Sequence, residues 1–351
     1  MKGNGLSYRE SGVDIDSANA AKQDMKRIMK TDDPRVLNTV GAFASLFEAS
    51  FPGLREPVLV LKTEEPGTKQ KLAVENKRYT SICYDMVNHL INDIAVMGAT
   101  PLAVQDAIIC GKLEPEVVTE MVRAMAQACR DQGCTLTGGE TSEQPGVIPA
   151  GTYILTSSIV GVVDRLKVID GSRIANGDTV LAVASNGLHT NGYSLARRLL
   201  VESPSIAGET VGGESFLEAI LKPHTCYFGG LRDIFDLPEL HGMAHITGGG
   251  IAENLDRVLP AGLDAAVDLS RIRIPPVFEM IRRAGSVPDS DMLRTFNMGV
   301  GLCIVADPSG LSPIQGRLQA KGFLCYPVGE IVPGTRRVTF RGNLTWKDAK
   351  R

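Results

Sequence analysis

The stretch Ser185–Leu200, SNGLHTNGYSLARRLL, is the starting point for our interpretation of the fold. The preceding run Thr179–Ala184 is apolar and predicts a buried strand, and the leucines that follow recur at helical spacing and predict a helix over Thr190–Val201. A polar, glycine-broken loop at a helix N-terminus can direct backbone N–H groups at an anion. An ordinary helix cap explains this loop alone equally well.

A second loop of the same kind favours the anion. Residues Ala244–Gly250, AHITGGG, run from a short apolar segment into a helix predicted to start near Ile251. Both loops combine a histidine, His189 or His245, with glycines and hydroxyl groups at a predicted helix N-terminus. Together they indicate a phosphorylated ligand.

Bulk properties exclude several classes of protein. A length of 351 residues suggests two domains, and a net charge of −3 gives no basic surface for nucleic acid. No apolar run reaches the roughly 18 residues of a membrane span, and the first residues lack the apolar core of a signal peptide. Seven scattered cysteines without a C-x-x-C favour reduced thiols in a cytoplasm over disulfides or a zinc site.

Strands and helices alternate along the whole chain. Pro57–Leu61 and Tyr153–Val163 are predicted strands, and Glu114–Asp131 is a predicted amphipathic helix. The alternation of predicted strands and helices stops near residue 169 and then begins again, which predicts domains over residues 1–168 and 169–351. The mixed order indicates an α/β or α+β class.

The first half also carries carboxylates and a lysine where nucleotide chemistry needs them. The loop Thr63–Lys69, TEEPGTK, brings two glutamates and a lysine together, and Asp93 interrupts the apolar helical pattern of Met86–Met97. Asp106 and Glu140 lie further along. Carboxylates bind hard cations and lysine neutralises phosphate, so this half is predicted to bind Mg-nucleotide. For the loop alone, a solvated turn is the more common explanation.

Other common motifs are absent from the sequence. There is no Walker loop, no G-x-S-x-G elbow and no G-x-G-x-x-G after a strand. His241 and His245 are four apart, but Gly242 weakens a helix there and the glutamate of a metalloprotease is missing. We therefore predict neither a hydrolase, nor a dinucleotide fold, nor a zinc protease.

The ordered set of motifs resembles the aminoimidazole ribonucleotide synthetase (phosphoribosylformylglycinamidine cyclo-ligase) family. The matching segments are Ser7–Asp16, Asn92–Asp93, Gly111–Leu113, Gly138–Thr141, His189–Ser194, Thr247–Gly250, Arg257–Pro260 and Arg294–Gly301. The resemblance implies a two-domain α+β fold in which N-terminal strands of two subunits form a barrel across a homodimer. It also implies ATP-dependent, Mg²⁺-dependent cyclisation of formylglycinamidine ribonucleotide to aminoimidazole ribonucleotide in purine biosynthesis.

The resemblance also implies roles for individual residues. Mg²⁺ is expected on Glu64, Asp93 and Glu140, with Asp106 as a further candidate near the nucleotide. Nucleotide binding is expected from Gly67, Thr68, Lys69, Asn92, Gly138 and Gly139. Substrate binding is expected from Thr190, Asn191, Thr247, Gly248, Gly249, Gly250 and Asn297. His189 and His245 are the candidates for proton transfer or for stabilising phosphoryl charge, with Lys69 as a third catalytic group.

One segment departs from the family pattern. Where the family usually has TDGVGTK, this chain has TEEPGTK, so Glu65 adds a charge and Pro66 removes an N–H donor. Two competing interpretations follow: another ATP-dependent phosphoryl transferase of the same superfamily, or a nucleotide-binding regulator without catalysis.

Overall fold

The computed structural model describes residues 23–38 and 41–346. Residues 23–28 are helical, which is the described part of a helix predicted over about residues 18–29. The motif Ser7–Asp16 lies outside the described residues.

The first half is a four-stranded sheet with helices packed on it. Its elements are β1 (Pro57–Glu64), α1 (Lys69–Glu75), α2 (Tyr79–Ala95), β2 (Thr100–Cys110), α3 (Pro115–Asp131), β3 (Thr135–Glu143) and β4 (Tyr153–Asp164). The strand order is β1-β4-β2-β3, with β2 and β3 parallel and the other pairs antiparallel. α2 contacts β1, β2 and β4 as well as α3, because apolar residues such as Ile82, Met86 and Leu90 recur on its inner side.

The other face of this sheet is apolar and exposed near its edge. Leu59 and Leu61 on edge strand β1 are 54% and 69% exposed. Among the described residues the sheet is open, with β1 and β3 as its edges, so the barrel expected across a dimer is not present in a single chain.

The second half is a six-stranded sheet of mostly antiparallel strands. Its elements are β5 (Thr179–Ala184), α4 (Tyr193–Glu202), β6 (Thr210–Val211), β7 (Glu214–Ser215), α5 (Phe216–Leu221), α6 (Phe228–Leu231), β8 (Leu240–His245), α7 (Gly250–Leu255), β9 (Leu263–Asp268), α8 (Pro276–Ala284), α9 (Asp289–Thr295), β10 (Val300–Ala306), α10 (Leu311–Ala320), β11 (Cys325–Pro333) and β12 (Val338–Arg341). The order is β12-β9-β11-β5-β10-β8, and only β12 and β9 pair in parallel. Single 3₁₀ turns occupy Arg165–Lys167, Pro204–Gly208, Asp256–Val258, Leu269–Arg271 and Pro308–Gly310.

Several predicted elements differ at their ends. The helix expected from Thr190 begins at Tyr193, because Gly192 has a φ of 80° that a helix cannot include. His241 lies on strand β8 and not on a helix, and it pairs with Asp178 at 2.8 Å. None of the helices in the described ranges is both long and apolar enough to cross a bilayer.

Helix α2 is where the two halves meet. The amide of Asn88 donates to the carbonyl of His224 at 2.7 Å. Asn92 both donates to the carbonyl of Thr225 and accepts from the N–H of Tyr227, each at 2.8 Å. These bonds hold the segment before α6 along α2, so residues at the end of α2 face the second half. The domain division predicted at residues 168 and 169 stays a prediction.

Candidate functional site

A cavity of about 520 Å³ lies between the two halves. Its walls include carboxylates and Lys62 from the first half and the two polar loops from the second half. The predicted site residues that line it are Glu64, Gly67, Asp93, Thr190, Asn191, His245 and Thr247. The cavity also contacts His89, Asn254 and Arg257. Residues separated by about 180 positions along the chain thus share one cleft.

Asp93 is the most heavily partnered group in this cleft. One carboxylate oxygen accepts from Nδ1 of His245 at 2.7 Å, and the other lies 3.2 Å from Nζ of Lys62. Nε2 of His89 lies 3.6 Å from the second oxygen. Burial alone would raise the pKa of the Asp93 carboxyl, but the His245 bond and the nearby cationic groups hold that pKa well below its usual range. A carboxylate in so apolar a helix needs a partner, and His245 and Lys62 supply it here.

Lys62 links two of the three carboxylates predicted to bind Mg²⁺, Glu64 and Asp93. Its ammonium lies 2.7 Å from Glu64 and 3.2 Å from Asp93, so both carboxylates converge on a single cationic group. Burial lowers the pKa of the Lys62 ammonium, but the two carboxylates raise it, and the net effect is an increase in that pKa. The converging oxygens are the ligands a hard cation prefers.

Four of the five histidines of the chain gather beside Asp93. The His189 and His224 rings stack with centroids 3.9 Å apart, and Nε2 of His224 lies 3.0 Å from Nε2 of His245. Nδ1 of His89 lies 3.3 Å from the hydroxyl of Thr190. Burial lowers the pKa of His89 to about 4 and lowers the pKa values of His189 and His224 well below their usual range. These three imidazoles are therefore neutral at pH 7.

Glycine conformation and hydrogen bonds from the Asn254 side-chain amide fix the Thr247–Gly250 loop, which contacts the Thr190–Asn191 loop. Gly249 and Gly250 have φ values of 87° and 64°, and a Cβ on Gly250 would lie 2.1 Å from the carbonyl oxygen of Leu293. Nδ2 of Asn254 donates to the carbonyls of Gly248 and Gly250 at 3.0 and 2.8 Å. A Cβ on Gly248 would lie 3.3 Å from Oδ1 of Asn191, so the two loops are in contact.

Lys69 differs from its expected environment. The sequence predicted a polar turn, but the side chain is 0% exposed and forms an ion pair with Asp85 at 2.8 Å. Its ammonium also donates to the carbonyls of His189 and Lys222, at 3.0 and 2.6 Å. Lys69 thereby joins the halves from beneath the cleft. Its neighbour Thr68, at the start of α1, lies 3.5 Å from the hydroxyl of Ser194.

Three other predicted site residues lie behind the cavity wall. Asn92 bonds to the backbone before α6, as described above. Asn297 is 1% exposed, and its amide accepts from Ser185 and from the N–H of Gly299 and donates to the carbonyl of Gly187. His189 is 1% exposed and has a φ of 60°, a strained value for a residue with a side chain.

The remaining predicted residues line a separate cavity of about 990 Å³. Asp106, Gly138, Gly139 and Glu140 lie there, on β2 and β3. Burial raises the pKa of the Asp106 carboxyl to about 7. Within one chain, therefore, Glu140 does not line the cavity that contains Glu64 and Asp93.

The residues missed by sequence interpretation are Lys62, Asp85, His89 and His224. His89 precedes Asp93 by one helical turn, a spacing that places both on one face of α2 and could have identified it. His224 belongs to no motif, because only the packing of the two halves brings it to His189 and His245.

Comparison with known protein families matches both halves of the chain. Residues 54–163 match the N-terminal domain, and residues 175–341 the C-terminal domain, of the AIR synthase related proteins. Among solved structures, E. coli HypE has a TM-score of 0.68 at 16% identity, covering 95% of this chain and 98% of that one. Thiamine-monophosphate kinase from Stenotrophomonas maltophilia K279a has a TM-score of 0.67 at 16% identity, covering 93% and 97%. At such identity these structures establish the shared fold alone.

Curated relatives are much more similar. Phosphoribosylformylglycinamidine cyclo-ligase from Methylobacillus flagellatus is 40% identical over 329 residues, which span 93% of this chain and 95% of the relative. The protein of the same name from Chromobacterium violaceum is 41% identical over 333 residues, spanning 94% and 96%. The family resemblance and the α+β class predicted from the sequence are confirmed. The chain belongs to the AIR synthase related protein family and, within it, to the phosphoribosylformylglycinamidine cyclo-ligases.

Proposed function

We propose that the cleft between the two halves is where this chain cyclises formylglycinamidine ribonucleotide to aminoimidazole ribonucleotide, with ATP converted to ADP and phosphate. The observation that carries the assignment to this cleft is the meeting of Glu64 and Asp93 with the Thr190–Asn191 and Thr247 loop residues in one cavity. The names of the curated relatives support the reaction and do not favour a different phosphoryl transfer or a regulator without catalysis.

The donor set of the cleft fits Mg-ATP. Glu64 and Asp93 offer oxygen ligands around the position of the Lys62 ammonium, so they are the residues that would hold Mg²⁺. Bound Mg²⁺ would neutralise charge on the phosphates during transfer. Lys62 and Arg257 would then contact phosphate oxygens, and the hydroxyls of Thr190 and Thr247 with the amide of Asn191 would orient the substrate. Glu140 would bind this Mg²⁺ only if the Glu140 of a second chain lay at the cleft.

His245 is the better placed of the two candidate acid–base groups. It lines the cavity, whereas His189 lies outside that lining behind it. Nδ1 of His245 donates to Asp93, and this bond fixes the orientation of the His245 ring. Nε2 of the same ring then lies beside Nε2 of His224. We assign proton transfer during ring closure to His245, and to His189 a supporting position in the histidine cluster.

We also propose a homodimer formed through the first sheet. Leu59 and Leu61 are exposed on edge strand β1, and Val160 and Val162 of β4 pair with them. An exposed apolar edge invites pairing with another strand, and a second copy of this sheet would cover it. Light scattering at micromolar protein and moderate salt should give the dimer mass. The variant Leu59→Lys with Leu61→Lys should be monomeric, and a monomeric natural chain would contradict the proposal.

The reaction is tested by ADP release from the purified chain supplied with ATP, Mg²⁺ and formylglycinamidine ribonucleotide. We expect release that depends on the ribonucleotide and matches the aminoimidazole ribonucleotide formed. Asp93→Asn should abolish it, and Asp24→Asn, on the surface and far from the cleft in sequence, is the control that should retain it. ADP release without ring closure would contradict the proposal.

A further inference from the structure

His189, His224 and His245 pack closely together, and the proposed proton transfer by His245 does not explain why all three rings meet. One nitrogen from each of the three imidazoles lies within 4.8 Å of the other two. All three residues are buried, with exposures of 1%, 1% and 6%. Packing three ionisable rings this closely is unfavourable unless their nitrogens find partners.

Three nitrogens of this cluster lack such partners among the described residues. Among the described residues, neither ring nitrogen of His189 has a hydrogen-bond partner, and Nδ1 of His224 has none. A buried polar atom without a partner destabilises the folded chain. His189 also keeps a backbone φ of 60°. Strain and unpaired polar atoms at one place are typical of a binding site.

We propose that His189, His224 and His245 bind one divalent transition-metal ion of the zinc class. The ligand atoms are Nε2 of His245, Nε2 of His224 and one ring nitrogen of His189. Zinc–nitrogen distances of about 2.0–2.1 Å place two ligands of a tetrahedral site about 3.3 Å apart. The two Nε2 atoms are already 3.0 Å apart. The stacked ring of His189 has to rotate about its Cβ–Cγ bond to turn a nitrogen toward the same ion.

The surroundings of the cluster match those of protein zinc sites. Metal-binding histidines usually donate their second N–H to a carboxylate, and Nδ1 of His245 donates to Asp93 at 2.7 Å. Three protein ligands leave one position for a small molecule, as in open zinc sites.

This site is distinct from the proposed Mg²⁺ site, although the two share Asp93 as a neighbour. Imidazole ligands select zinc-class ions, whereas the carboxylates of Glu64 and Asp93 suit Mg²⁺. Because His245 also faces the cleft, an ion on its Nε2 would remove that nitrogen from proton transfer. Zinc should therefore inhibit the reaction reversibly.

The test is metal binding, measured without ATP or substrate. The full chain is stripped with a chelator and titrated with Zn²⁺ against a chromophoric competitor. Co²⁺ is then used as a spectroscopic probe of coordination. We expect one tight equivalent of Zn²⁺ and the intense visible absorption of four-coordinate Co²⁺. His224→Gln should weaken zinc binding at least 10-fold, and Asp93→Asn should weaken it roughly 10–100-fold.

His241→Gln is the matched control, since His241 is the histidine outside the cluster and pairs with Asp178. It should leave zinc affinity unchanged. Equal zinc affinity in the natural chain and His224→Gln, or the weak spectrum of six-coordinate Co²⁺, would overturn the proposal. If His224→Gln does not fold, His189→Gln takes its place. Because no nucleotide is present, failure here leaves the cyclo-ligase assignment untouched.

Discussion

Replacing Lys69 tests how the two halves are joined. In Lys69→Ala the carboxylate of Asp85, which is fully buried, loses its ion pair, and the carbonyls of His189 and Lys222 lose a donor. Removing one partner of a buried pair costs about 3–5 kcal/mol. We therefore expect the free energy of unfolding to fall by about that amount at pH 8, where Asp85 is ionised.

The loss should depend on pH in a defined direction. Burial raises the pKa of Asp85 to about 6, and Lys69 opposes that increase. Without Lys69 the pKa rises further, so the folded variant binds a proton that the unfolded chain releases near pH 4. Its stability therefore falls as pH rises through the folded pKa, and the deficit should be smaller at pH 5 than at pH 8.

Urea denaturation followed by circular dichroism at both pH values measures this effect. Lys69→Met combined with Asp85→Asn should recover most of the loss, because it leaves no buried charge and Asn can still accept from the N–H of His224. Lys71→Ala, at an exposed lysine two positions away, is the control and should change stability by less than about 0.5 kcal/mol. If Lys69→Ala lowers the free energy of unfolding by less than about 1 kcal/mol and the loss does not vary with pH, the Lys69–Asp85 pair is not the stabilising contact inferred here.

Three further predictions concern the cleft and its supports. His245→Gln should lower kcat by roughly 10²–10⁴-fold with little change in KM. The loss should exceed that of His189→Gln, because of these two histidines only His245 lines the cavity. Steady-state kinetics on both variants test this, and the reverse order would reassign the acid–base group. Asp106→Asn should stabilise the chain at pH 8 by up to about 4 kcal/mol, and the gain should shrink toward pH 5. The reason is that the pKa of Asp106 in the folded chain is about 7, so the native aspartate becomes more destabilising as pH rises toward that value. Urea denaturation that shows no gain in stability at pH 8 would contradict the assignment. Gly250→Ala should destabilise the chain by more than about 1–2 kcal/mol, because its φ of 64° and the Leu293 carbonyl leave no room for Cβ. Gly316→Ala, in α10 with open space around it, is the control and should be neutral or stabilising. Thermal melts that rank the two variants the other way would be inconsistent with this geometry.

The sequence predicted much of the fold because local patterns determine much of it. β5 was predicted with its observed bounds, and α3 was predicted from Glu114 and begins at Pro115, since an apolar run and a helical stripe carry their own periodicity. The family assignment followed from ordered motifs along the whole chain. The pairing of Asp93 with His245 was not predicted, because the two residues are 152 positions apart.

The burial of Lys69 and the separation of Glu140 could not be predicted in this way. Lys69 follows a polar turn, and nothing in that turn shows that the second half covers it. Glu140 belongs to β3, whose pairing with β2 places it beside Ala107 and away from the cleft. Both positions depend on tertiary packing, which local sequence does not encode residue by residue.

The most direct test of the central claim is ring closure itself, measured on the natural chain and on Asp93→Asn in parallel. We expect the natural chain to convert formylglycinamidine ribonucleotide to aminoimidazole ribonucleotide with one ADP released per ring formed. We expect Asp93→Asn to keep the fold, to lose the carboxylate shared by His245 and Lys62, and to form no ring. Full ring-closing activity in a folded Asp93→Asn variant would contradict the assignment of the cleft.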